Sequence, residues 1–107
     1  MAAPQPAGSA YLTLSRIVGH PGSLLDGYLR ASDVMTEVGR DHGLILHAAA
    51  QTEEGLLIVN LWTSSEGSES AARDPRRLAV LREGGVGAAQ IHPEHHDVVN
   101  HVVFGAG

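Results

Sequence analysis

The sequence predicts a single α+β domain with the element order β-α-β-β-α-β. This is a ferredoxin-like, four-stranded antiparallel sheet with two helices on one face. Three observations lead there. Two adjacent runs, residues 44–50 and 56–63, are strand-like and nearly continuously apolar, with a polar stretch closed by glycine between them. A long stripe of apolar residues at helical spacing precedes them. The chain has 107 residues, of which 43% are hydrophobic, the size and composition of one globular domain.

Residues 1–10 hold two prolines and neither a positive charge nor an apolar core, so they read as a disordered tail rather than a secretory signal. The domain is expected over residues 11–107. Residues 11–18 alternate loosely between Gly8 and Gly19 and predict the first strand. His20-Pro21-Gly22 breaks it, and Ser23 is positioned to cap a helix, with Asp26 complementing the exposed amides of its first turn. Leu24, Tyr28, Ala31, Met35 and Val38 then recur at spacings of four and three, with Leu25 and Leu29 widening the buried stripe. Asp41-His42-Gly43 ends that helix. After the central hairpin, turned at residues 51–55, Ser64 and Ser65 can cap a weak helical turn through Ala72. Asp74-Pro75 starts a firmer helix, with Leu78 and Leu81 facing inward and Arg76 and Arg77 facing solvent. Gly84-Gly85 stops it. A loop containing His92-Pro93-Glu94-His95-His96 leads to a last strand over residues 97–104.

The central hairpin carries apolar residues on both parities. Leu44, Leu46 and Ala48 match Leu57, Val59 and Leu61 on one face; Ile45, His47 and Ala49 match Leu56, Ile58, Asn60 and Trp62 on the other. Strands apolar on both faces are normally covered on both, and two short helices cover only one. A bare aliphatic face is rare in a monomer, so a homodimer formed sheet on sheet is expected. The other face meets the helices, and His47, Asn60 and Trp62 interrupt it with polar groups that must be hydrogen-bonded if buried.

Composition excludes several classes. The formal charge is −5, with seven arginines and no lysine, which argues against nucleic acid as a partner. No run of about 18 apolar residues is present, so no membrane span is expected, and a cytoplasmic address follows by default. Without cysteine there is neither a thiolate nucleophile nor a thiolate metal site. The histidine run at 92–96 lacks a second ligand set at a recognised spacing, so no metal site is expected there. No dinucleotide, phosphate-loop or nucleophile-elbow motif is present, and no cofactor is expected.

The catalytic candidates are therefore His47, Asn60 and Trp62. An imidazole has an unperturbed pKa close to neutral, the property a general base needs, so His47 suits that role. Asn60 can donate its amide to an oxyanion, and Trp62 can donate from its indole nitrogen and stack on a flat substrate. Tyr28, His101 and Ile58 are the candidate substrate contacts: Tyr28 from the buried face of the first helix, Ile58 from the helix-facing parity, and His101 from the last strand if its register turns it inward.

The stretch Gly43-Leu44-Ile45-Leu46-His47, the stretch from Gly55 through Asn60-Leu61-Trp62-Thr63-Ser64, and the closing Val98-Val99-Asn100-His101-Val102-Val103-Phe104 together resemble dimeric α+β barrel proteins of the antibiotic-biosynthesis-monooxygenase-like group. The resemblance extends from Tyr11 to Phe104. It implies two four-stranded sheets facing each other across a dimer, helices outside, and a ligand cavity between sheet and helices in each subunit. It also implies a function in small-molecule, polyketide-type metabolism: cofactor-independent oxygenation, or proton-transfer isomerisation or cyclisation, on a flat apolar substrate. Several oxygenases of the group rely on an Asn and a Trp lining the cavity, for which Asn60 and Trp62 are the candidates. One alternative is haem binding or degradation, with His47 or His101 as axial ligand. Another is a non-catalytic dimer binding a ligand or partner. The chain departs from the group where the second helix begins: Gly67, Ser68, Ala71 and Ala72 replace larger residues, leaving either a larger cavity or a poorly ordered segment.

Overall fold

A computed structural model describes residues 10–104. The tail expected over residues 1–10 lies, apart from Ala10, outside the described residues, as do residues 105–107. The elements are β1 (Tyr11–Val18), α1 (Pro21–Asp41), β2 (Leu44–Gln51), β3 (Gly55–Trp62), α2 (Ser65–Ala72), α3 (Pro75–Glu83), a short 3-10 turn (Ala88–Gln90) and β4 (Ile91–Asp97). The strands form one antiparallel sheet in the order β2-β3-β1-β4, the ferredoxin-like arrangement. None of the described helices is long and apolar enough to cross a membrane.

α1 begins three residues earlier than its sequence suggests. Pro21 occupies the first turn, where a missing N–H costs nothing, and His20 is the cap: its Nδ1 accepts from the Ser23 amide at 3.2 Å. Gly43, at φ 86°, turns the chain from α1 into β2, a left-handed conformation that a side chain would strain. Leu29, expected to widen the buried stripe, is 59% exposed.

The second helical region is two helices with a break at Arg73-Asp74. Ser64 caps α2 through the Gly67 amide at 3.0 Å, and Asp74 caps α3 through the Arg76 amide at 2.9 Å. Small residues order α2 rather than loosening it. Gly67 passes so close to the carbonyl of His42 that a Cβ there would collide with it, and Ser68 and Ala71 are buried. Leu78, expected inside, is 43% exposed, while Arg77, expected in solvent, turns inward with Val80 and Leu81.

Two further expectations are corrected. The last strand is residues 91–97, not 97–104, so the run His92-Pro93-Glu94-His95-His96 is strand rather than loop. β4 is an edge strand, where proline is tolerated because one row of amides has no partner. Residues 98–104 carry no regular structure, and Val99, Val102, Val103 and Phe104 are exposed.

The second correction concerns Leu44. A bulge at Ile45 lets Leu44 pair with Trp62 and Leu46 with Leu61. Leu44 therefore shares the helix-facing side with His47, and the expected alternation holds only from Leu46 onward. The helix-covered core gathers Val38, Trp62 and Ala71, packed by Tyr11, Val34 and Leu44.

Candidate active site

Between α1, α2, α3 and the inner face of the sheet lies a cavity of about 440 Å³. That volume is within the usual range for small-molecule sites. The α1 stripe forms one wall, since Leu24, Tyr28, Ala31, Met35 and Val38 all reach it. The floor comes from alternate strand residues: Thr13, Ser15 and Ile17 of β1, His47 of β2, and Leu56, Ile58, Asn60 and Trp62 of β3. Antiparallel pairing fixes this set, because Thr13 lies opposite Asn60 and Asn60 opposite His47. Pro93 and His95 of β4 and Arg77, Val80 and Leu81 of α3 complete the lining.

Three of the candidates form one hydrogen-bonded chain. His47 Nδ1 lies 2.6 Å from Asn60 Oδ1, and His47 Nε2 lies 2.5 Å from the Tyr28 hydroxyl. An amide oxygen only accepts, so Nδ1 carries the imidazole proton and donates it to Asn60. Nε2 is then the lone-pair nitrogen, and Tyr28 donates to it. The Tyr28 and His47 rings also stack, with centroids 5.8 Å apart. β2 is an edge strand and His47 is exposed, so the basic nitrogen stands at the rim of the cavity. This is the geometry of an oriented base: one nitrogen fixed by an amide, the other directed at a proton donor.

Trp62 is 6% exposed, and its indole N–H donates to Thr13 Oγ1 at 3.0 Å. Its ring lines the cavity, but its donor is engaged in the wall. Ile58 lies on the floor between Leu56 and Asn60. His101 is not brought to the cavity: it sits in the exposed stretch after β4, because the strand ends at Asp97. The haem alternative is left with His47, both of whose nitrogens are already bonded.

The histidines of β4 do not converge. His92 and His96 alternate with His95, so the first two share the outer face with Glu94 and only His95 lines the cavity, stacked on Tyr11 with centroids 5.9 Å apart. Among the described residues no cluster of three His, Asp or Glu side chains could hold a metal ion.

Sequence reasoning missed Thr13, His95 and Arg77 as lining residues. Arg77, Leu81 and Gly84 stand at spacings of four and three on α3, and all three border the cavity. That spacing was the available signal for Arg77.

Several solved structures share this fold. A candidate antibiotic biosynthesis monooxygenase from Caulobacter crescentus superposes with a TM-score of 0.64 over 88% of this chain and 92% of its own, at 13% identity. The chain has the antibiotic biosynthesis monooxygenase fold. A second candidate of that kind, from Chloroflexus aurantiacus, is 21% identical, with a TM-score of 0.61 over 92% of this chain and all of its own. SnoaB, a cofactor-independent oxygenase from Streptomyces nogalater, gives 0.57 at 13% identity over 88% and 93%. No protein-family model matches the chain, and no curated protein sequence matches it. At these identities the likeness is one of fold.

Proposed function

We propose that the chain is a small-molecule enzyme that removes a proton from a flat, largely apolar substrate of polyketide type, leading to cofactor-independent oxygenation or to isomerisation or cyclisation. The observation that carries this reading is the Tyr28–His47–Asn60 chain at the rim of an apolar cavity. Asn60 fixes the tautomer, so His47 Nε2 is the base. Substrate either displaces the Tyr28 hydroxyl from Nε2 or passes its proton to Tyr28 as Tyr28 passes its own to His47. Either route leaves an imidazolium beside a delocalised substrate anion. In an oxygenation that anion is the electron donor to dioxygen; in an isomerisation it is reprotonated at another atom by the same imidazolium. Trp62 and Ile58 supply flat and aliphatic walls for the ring system. The open cavity disfavours a non-catalytic dimer filled by side chains, and SnoaB offers a precedent for oxygenation without cofactor on this fold.

The reading includes a homodimer. Leu12, Leu14, Leu57 and Val59 are only half-buried on the outer face, Leu46 is 44% exposed, and Val99, Val102, Val103 and Phe104 after β4 are exposed. A second copy facing this sheet would cover them.

Anthrone, whose benzylic proton is activated by a ring carbonyl, tests the chemistry. The protein should accelerate deuterium exchange at that carbon without oxygen and oxygen uptake in air. His47→Ala should lower both by at least ~10²-fold with the fold intact. Rates unchanged in that variant would remove His47 from the mechanism and the proposal with it.

A further inference from the structure

Among the described residues that line the cavity, one carries a permanent charge and none is an acid. Arg77 enters from α3, and the lining includes neither an aspartate nor a glutamate. Its Nη1 donates to the Ala72 carbonyl at 3.1 Å, which leaves most of the guanidinium donors unassigned. No carboxylate approaches it within 4.0 Å among the described residues. Its neighbour Arg76 shows the contrast, held by both Asp74 and Asp41. Burial alone lowers the pKa of Arg77, the direction expected of a cation moved out of water without a counter-ion.

A partly desolvated cation without a partner is costly, and an anionic ligand is what removes that cost. The guanidinium presents a planar fork that matches a carboxylate by two parallel hydrogen bonds. The remaining walls are largely aliphatic or aromatic, and their polar side chains, among them Thr13, Ser15, Tyr28, His47, Asn60 and His95, include no carboxylate. We infer that the substrate is an acid: a flat apolar ring system bearing a carboxylate, which Arg77 binds. The inference rests on the reading of the cavity as the substrate site. It places the acid at α3 and the abstracted proton at β2, on different parts of the substrate. General electrostatics do not supply the preference, because the chain carries a net charge of −5 and repels anions at long range.

Two probes of one shape separate the alternatives: 2-naphthoate and the uncharged 2-naphthamide, titrated by NMR into the 15N-labelled protein. The native protein should bind the acid at least about tenfold more tightly than the amide, with shifts at α3 and β3. Arg77→Gln should reduce naphthoate to the affinity of naphthamide and leave naphthamide unchanged. Arg77→Lys, which keeps charge but loses the fork, should keep part of the preference and serves if the glutamine variant folds poorly. Equal affinities in the native protein, or a preference that survives Arg77→Gln, would overturn the role of Arg77 while leaving the cavity as a binding site. If neither probe enters the cavity, both readings fall together.

Discussion

At the scale of single residues, the floor of the site depends on buried polar groups that each have a partner. Trp62 illustrates this, since its N–H would be an orphan in the core without Thr13. Replacing Thr13 by valine keeps the shape and removes the acceptor. The loss should be about 1–3 kcal/mol in denaturant unfolding, with Thr13→Ser close to the native value. A valine variant as stable as the native protein would mean that the indole finds another acceptor. The facing of His47, Asn60 and Trp62 was legible because period-two alternation needs only local sequence. The Trp62–Thr13 bond was not, since the partners are 49 residues apart and meet only through the β1–β3 register. Arg77 was misread for a different reason. A charged pair such as Arg76-Arg77 reads as solvated, and only the helix position of each member separates the paired arginine from the inward one.

At the scale of elements, the break between α2 and α3 is held by charge. Asp74 caps α3, is 9% exposed, and accepts from Arg76 at 2.7 Å and from His42 at 3.0 Å, which ties the end of α1 to the start of α3. The Arg76 guanidinium, then His42, then the Arg76 amide hold the Asp74 carboxyl well below the usual carboxylate range. A carboxyl so depressed contributes stability that is fully present above its unfolded-state pKa. That contribution is lost as pH falls from about 4 toward the folded value, because the unfolded chain takes up the proton first. Asp74→Asn should therefore flatten the fall of unfolding free energy below about pH 4 by up to one proton. An unchanged acid limb, measured by urea unfolding across that range, would show that the ion pairs are too solvated to matter. The helices were legible here because caps are local signals. The last strand was not: Pro93 and the surrounding charges argue against a strand in general, but an edge position excuses both. The valines after it satisfy strand propensity, yet beyond the Val98 amide, which donates to the Ala10 carbonyl at 3.1 Å, they take up no regular structure.

At the scale of the whole molecule, sheet order and layer arrangement followed from the pattern of elements, while assembly rests on an argument about exposed aliphatic surface. At roughly 25 cal/mol per Å² of apolar area buried, covering Leu46 and its neighbours favours pairing strongly. The protein should sediment as a dimer at micromolar concentration, and Leu46→Asp should shift it toward the monomer. A well-folded native monomer under those conditions would remove the paired-sheet assembly. The strand that carries Leu46 outward carries Leu44 and His47 inward, and Ile45 is where it changes sides. Were Ile45 deleted, Leu44 could still sit across from Trp62 and Leu46 across from Leu61. That position is spare length in the ladder, so β2 could be trimmed there without turning the imidazole away from its pocket or the leucine away from its surface.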